Sequence, residues 1–232
     1  ILLVNDLCKV YPRFQLEHVG FSVEKGTIMG LIGRNGAGKT TTLKAILNFV
    51  HPASGDIRFF GLPFSGHEGE IKQRIGYASG TINYYPRKKL SDITRVTKRF
   101  YSNWDDTLYR RYMERFSLEE DKKPNELSEG MKVKYNLVLA LSHHAECLIL
   151  DEPTSGLDPV SRDELLEIFL GLAQDGVAIL FSTHIITDLE KCADSITYLH
   201  AGRVLASKSC KAFTEDYLLI QHADRVAEPQ RA

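Results

Sequence analysis

The sequence predicts an α/β fold: a phosphate-binding loop on a sheet of buried strands, a β-rich N-terminal lobe and a helical insertion. Three observations predict it. The glycine-rich stretch Gly33-Arg34-Asn35-Gly36-Ala37-Gly38-Lys39-Thr40-Thr41 follows a strand-like apolar run, Thr27 to Ile32, and opens a helix with an apolar face, Thr42 to Leu47. Two later apolar runs, Cys147 to Leu150 and Val177 to Phe181, read as strands buried on both faces, and a helical segment lies between them. The section from Tyr84 to about Pro124 differs in kind, being charged, aromatic and helical in period.

The composition bounds the function. A chain of 232 residues suits one domain, or one domain with a lobe. With 43% hydrophobic and 25% charged residues, it has the balance of a globular protein with a real core. A formal net charge of -1 offers no basic field for nucleic acid. The four cysteines, Cys8, Cys147, Cys192 and Cys210, form no C-x-x-C pair and read as reduced thiols rather than a disulfide frame or a zinc site. No signal peptide is visible, and no apolar run approaches the ~18 residues that span a bilayer, so a membrane role is expected to come through a partner.

Taken in order, Ile1 to Tyr11 and Phe14 to Val23 are strand-like, and Glu24-Lys25-Gly26 turns the chain into the strand before the loop. Tyr11 admits two readings, a ring stacked on a base or a ring packed at a sheet edge. In the loop, glycines let backbone N–H groups close around a phosphate, and the helix opening at Lys39 adds its positive end. Lys39 can reach the β- and γ-phosphates and the Thr40 hydroxyl can ligate Mg²⁺, which implies nucleoside triphosphate binding. His51 to Gly55 breaks the helix, and Asp56 to Phe60 returns as a short strand.

Arg74 to Ala78 reads as a further strand, followed by a polar link, Ser79 to Asn83. Ser91-Asp92 is expected to cap a helix through Tyr101. Asp105-Asp106 is expected to cap the next, with Leu108, Tyr112, Met113 and Phe116 on one face as lobe core. Arg87-Lys88-Lys89 reads as a solvated run, with a partner-facing patch as the lesser reading. Ser128 suits the N-cap of a helix through about Ser142, whose N-terminus offers a second anion seat.

The strand at Cys147 ends in Asp151-Glu152, at the carboxyl edge where open α/β sheets bind ligands. Asp151 can hold Mg²⁺ through water, and Glu152 can act as base toward an attacking water. Asp158, Pro159 and Asp175-Gly176 bracket the following helix, whose buried stripe is Leu165, Leu166, Phe169 and Leu172. The strand after it delivers Ser182-Thr183-His184 to the same edge. There His184 can bond a γ-phosphate and hold the water, or simply cap the next helix. Ser195 to Leu199 and Arg203 to Ala206 flank a hairpin turn at His200-Ala201-Gly202, and the chain from Thr214 reads as helical before a polar tail.

This ordered set resembles the nucleotide-binding domain of ABC ATPases, and the resemblance covers essentially the whole chain. Gly33 to Thr41 matches the Walker A loop, Leu127-Ser128-Glu129-Gly130-Met131 resembles the LSGGQ signature, and Cys147 to Glu152 resembles Walker B with its glutamate. Ser155-Gly156-Leu157-Asp158 resembles the D-loop, His184 the switch histidine and Tyr11 the adenine-stacking aromatic. The implied fold is a P-loop NTPase core with a mostly parallel sheet, an N-terminal antiparallel β subdomain and an inserted α-helical subdomain. Residues 1–83 and 125–232 would form the core with its β subdomain, and 84–124 the insertion.

The implied cofactors are ATP, on Tyr11, Gly33, Arg34, Asn35, Gly36, Ala37, Gly38, Lys39, Thr40 and Thr41 with Ser128 and Gly130, and Mg²⁺, on Thr40 and Asp151. Glu152 and His184 would carry the chemistry. The implied partners are a membrane-spanning permease and a second ATPase domain, in a homo- or heterodimer, with no nucleic acid. The implied place is peripheral, at the cytoplasmic face of a bacterial membrane. The wording around Asn103-Trp104-Asp105 resembles small ABC-2-type exporter ATPases. The alternatives are a soluble ABC ATPase acting on nucleic acid or ribosomes and a regulatory nucleotide-binding module with weak hydrolysis. Two departures stand out: Ala78-Ser79-Gly80 where relatives place Gln, and Glu129 and Met131 in the signature.

Overall fold

The computed structural model describes residues 1–79, 85–213 and 215. Two sheets organise them. The first is antiparallel and is built from β1 (Leu2–Tyr11), β2 (Phe14–Val23), β4 (Ser54–Phe59) and β5 (Leu62–Pro63), in the order β2-β1-β4-β5. The second takes β3 (Ile28–Ile32), β6 (Ile75–Ser79), β7 (Cys147–Asp151), β8 (Ala178–Thr183), β9 (Ser195–His200) and β10 (Arg203–Ser209). Its order is β10-β9-β3-β8-β7-β6, with every neighbour parallel except the β9–β10 hairpin. The expected mixed architecture, a mostly parallel core sheet with an antiparallel N-terminal sheet, is what the chain forms.

Strand periodicity divides the core into two layers. Met29, Leu31, Cys147, Ile149, Ala178 and Leu180 face the first sheet and α1 (Lys39–Ile46), together with Val4, Leu7 and Phe59. Ile28, Leu148, Leu150, Ile179 and Phe181 face the opposite side. Helices cover that side: α5 (Glu129–Ser142), α6 (Pro159–Gln174) and α7 (Ile186–Cys192). The central strands are therefore buried on both faces, which is why they read as continuous apolar runs. Helix α5 is enclosed almost all round, with every residue from Tyr135 to Ser142 buried.

The helical insertion contributes α3 (Leu90–Thr97) and α4 (Asp106–Arg115). Asp105 caps α4 as expected, accepting from the backbone N–H groups of Thr107 and Leu108. The buried face of this segment is Tyr109, Met113 and Phe116, with Leu108 and Tyr112 half-buried beside it, so the stripe is turned from the expected one. Helix α3 also departs from expectation. It begins at Leu90 with Lys89 at the N-cap, it ends at Thr97, and a 3₁₀ turn over Lys98–Phe100 follows. Ser91 and Asp92 lie inside its first turn, and Asp92 pairs with Arg95 instead of capping. Of the basic run, Lys89 pairs with Asp121 at 2.6 Å and Arg87 and Lys88 are exposed, in keeping with a solvated face.

Helix α2 (Phe64–Arg74) was not expected from the sequence. Only Phe64 and Ile71 are buried on it, and Ser65, Gly66 and His67 depart from helical angles, so it carries no regular apolar stripe. The helical reading of the chain from Thr214 falls outside the described residues except at Glu215, as do the Gly80 departure and Asn83. No helix among the described residues is long and apolar enough to cross a membrane.

Where the insertion meets the core, the Tyr101 ring stacks on His143, with centroids 3.7 Å apart and planes 6° apart. The His143 Nδ1 lies 3.2 Å from the Gln73 carbonyl. Burial pushes the imidazole down to about 4, from an ordinary value of 6.5. The folded value is depressed, so the unfolded chain takes up the proton more readily, and stability is lost as pH falls from about 6.5 through 4. The loss should approach about 3 kcal/mol below that window, from roughly 1.4 kcal/mol per pH unit of displacement. Thermal melts across this range should show the fall, and His143→Gln should remove it; an unchanged slope in that variant would exclude His143 as the cause.

Candidate active site

The carboxyl ends of β3, β7 and β8 meet at one edge of the parallel sheet. Strand register aligns them: Ile32 lies beside Thr183, and Asp151 beside Ser182. The phosphate loop rises from β3 and α1 begins at Lys39, with Gly38 at the N-cap in the left-handed region at φ 112°. A side chain at position 38 would strain that backbone and meet the Phe14 ring and Leu16 at 2.8 Å. At Gly33 a Cβ would lie 2.5 Å from the Leu199 carbonyl oxygen. The first turn of α1 holds no acidic residue, so its positive end stays available to an anion.

Lys39 is 6% exposed, and its side chain is the centre of the arrangement. Its Nζ donates to the Gly33 carbonyl at 2.8 Å and pairs with Glu152 Oε1 at 3.0 Å. The other Glu152 oxygen, Oε2, lies 2.9 Å from His184 Nδ1. Glu152 itself stands at φ 51°, an uncommon angle for a residue with a side chain, where the chain leaves β7. Its backbone N–H donates to Ser182 Oγ at 3.0 Å, and Ser182 Oγ donates to Asp151 Oδ1 at 2.7 Å. Thr40 Oγ1 donates to the same Asp151 oxygen at 3.1 Å. One connected set therefore joins the loop, both acids and His184, with Ser182 as the link between the two acids.

Lys39, Thr40, Glu152 and His184 border a cleft of about 640 Å³, within the range of small-molecule and cofactor sites, while Asp151 and Ser182 are not among its lining residues. Its walls include Arg34 to Thr41, Glu152, Ser155 and His184, together with Arg13 and Phe14. Gly33 borders a neighbouring cleft that shares Arg34 to Ala37 and His184. Tyr11 is not among the residues lining either cleft. It ends β1 opposite Phe14, and the Lys9 ammonium sits 5.2 Å from its ring centroid. Phe14, its partner across the hairpin, is the aromatic that lines the cleft. Arg13, Phe14 and Ser182 are the site residues that sequence reasoning missed; register and the hairpin turn place them, and neither leaves a short motif.

Ser128 and Gly130 also stand apart from the cleft on their own chain. Ser128 caps α5, its Oγ accepting from the Met131 N–H at 3.2 Å. Gly130 packs toward Leu157 and Ser161, which ties this segment to the loop before α6. Asp158 caps α6 as expected, accepting from the Val160 and Ser161 N–H groups. Glu129, the acidic departure in the signature-like segment, pairs with Lys132 at 2.6 Å, so its charge is answered within its own helix turn.

The chemistry of the donor set suits a hard divalent cation. Thr40 and Asp151 present a hydroxyl and a carboxylate on adjacent elements, two oxygen donors that leave most of an octahedral shell to phosphate and water, as Mg²⁺ prefers.

Known proteins resemble this chain over most of its length. A family model described as ABC transporter matches residues 16–155. The chain is 33% identical over 209 residues to the ABC transporter ATP-binding protein YtrB of Bacillus subtilis (strain 168), covering 90% of this chain and 71% of that protein. It is 35% identical over 202 residues to Nod factor export ATP-binding protein I of Burkholderia lata, covering 85% of this chain and 66% of that one. Among solved structures, an ATP binding subunit of an ABC transporter superposes with a TM-score of 0.84 at 32% identity, covering 94% of each chain.

Proposed function

This chain belongs to the ABC transporter family, and we propose that it is an ATP-hydrolysing subunit that drives a membrane exporter by closing and opening a head-to-tail dimer. The observation that carries hydrolysis is the position of Glu152. Its carboxylate lies between Lys39 and His184 at the mouth of the phosphate loop. ATP enters with its phosphates on the loop N–H groups and the α1 N-terminus. Lys39 exchanges Glu152 for phosphate oxygens, which frees the carboxylate to accept a proton from an attacking water. His184 orients that water and the γ-phosphate. Thr40 and Asp151 would hold Mg²⁺, which would supply charge neutralisation on the phosphates. Ser182 acts one step back, fixing Asp151 and the Glu152 backbone.

The head-to-tail dimer rests on a geometric separation. Ser128 and Gly130 form a capped helix N-terminus that its own cleft does not use, so a second copy or a paired relative supplies the missing wall. ATP then bridges Lys39 of one domain and Ser128 of the other, and hydrolysis releases them. In this reading the helical insertion, residues 84–124, faces a membrane-spanning permease and the chain sits peripherally at the cytoplasmic face. A relative named for Nod factor export supports the outward direction. Hydrolysis by the isolated chain with Mg²⁺ should show a specific activity that climbs with protein concentration. A specific activity that is finite but independent of concentration would overturn the composite site.

A further inference from the structure

A second cluster of chemistry-bearing side chains lies outside this site, on the antiparallel sheet. Asp6 and Cys8 sit on β1 and His18 on the facing β2. One ligand atom from each lies within 4.8 Å of the other two: a carboxylate oxygen, a thiol sulfur and an imidazole nitrogen. The strands are irregular where this happens. The β1–β2 register shifts between Val4 and Leu7 and again between Leu7 and Lys9. Asp6 and His18 both adopt left-handed backbone, at φ 53° and 51°. Neither is glycine, so the hairpin holds two uncommon backbone angles at the positions that bring the three donors together.

We propose that Asp6, Cys8 and His18 form a binding site for a borderline divalent transition metal, Zn²⁺ above the others. The donor set carries the choice. One thiolate, one imidazole and one carboxylate match the ligand types of zinc, whereas Mg²⁺ and Ca²⁺ take oxygen donors alone. A tetrahedral ion with bonds of 2.0–2.3 Å needs its donors about 3.3–3.8 Å apart, so side-chain rotation without strand movement closes the site. His18 Nδ1 and Asp6 Oδ1 are already in hydrogen-bond contact, and the His18 backbone N–H donates to Cys8 Sγ at 3.4 Å. The nearest cation along the strand is held aside, since Lys9 Nζ donates to the His51 carbonyl at 2.8 Å. Metal replaces the His18–Asp6 contact, the Cys8 thiol releases its proton to water, and water fills the fourth position. The ion staples β1 to β2, and the hairpin turn between them carries Arg13 and Phe14 to the nucleotide cleft.

The test uses the full chain titrated with Co²⁺ in excess Mg²⁺, read by absorption, because thiolate-bound cobalt gives a sulfur-to-metal charge-transfer band that oxygen-bound cobalt lacks. One equivalent should raise the band, and Zn²⁺ should displace it. Cys8→Ser should abolish the band, and His18→Ala should weaken Co²⁺ binding at least tenfold. His18 is exposed and Cys8 half-buried, and Cys8→Ser changes a single atom, so circular dichroism should show intact folding. Three results would overturn the proposal: no charge-transfer band, a band that survives Cys8→Ser, or affinity unmoved by His18→Ala. Survival in Cys8→Ser would assign the metal to another thiol such as Cys210.

Discussion

Lys39→Ala should lower ATP affinity by roughly 10²-fold or more, from the loss of a largely buried charge contact together with the charge it leaves unpaired, together about 3–5 kcal/mol. Two effects act in the same direction. The ammonium that would meet the β- and γ-phosphates is removed. Glu152 then keeps its negative charge facing the same space without the partner 3.0 Å away. The fold should survive, because the loop is set by the Gly33 and Gly38 backbone and because Glu152 retains its contact with His184. Titration of the purified variant with ATP and Mg²⁺, beside a thermal melt without nucleotide, measures both. Retained affinity would contradict the role assigned to Lys39. An altered melt with wild-type affinity would recast Lys39 as a structural partner of Glu152.

The site was legible where local rules operate. Gly33 to Thr41 fixes a loop by spacing alone, and Asp105, Ser128 and Asp158 each cap the helix that the sequence assigns them. Asp151-Glu152 could be placed because a doubly buried strand must end at a sheet edge. What could not be read depends on register between distant strands. Lys39, Glu152 and His184 converge only because β3, β8 and β7 stand side by side. Ser182 earns its role from lying opposite Asp151, a pairing with no trace in the sequence around either residue. The same holds for Cys8: the sequence offered a lone thiol, and a strand irregularity set it beside Asp6 and His18. Ser91-Asp92 failed as a cap for a local reason. Leu90 is fully buried and opens the helix, so the N-cap falls on Lys89, two residues before Ser91.

Glu152→Gln should slow ATP turnover by roughly 10²–10⁴-fold, the range for loss of a positioned general base. Binding should behave differently. The amide keeps the size of the side chain and can still meet His184 Nδ1, but it no longer draws on Lys39 through a full charge. Phosphate then competes with a weaker partner for the ammonium, so ATP affinity should hold or rise while chemistry fails. If ATP joins two domains and hydrolysis parts them, the variant should accumulate as an ATP-dependent dimer, visible by size-exclusion chromatography with ATP and Mg²⁺ and absent with ADP. Turnover near that of the native chain would remove Glu152 from the chemistry. Slow turnover without a dimer would keep Glu152 as the base and instead remove the second domain from the site. The two assignments stand on different observations, the Lys39–Glu152–His184 contacts and the separation of Ser128 from its own cleft, so each can fail alone.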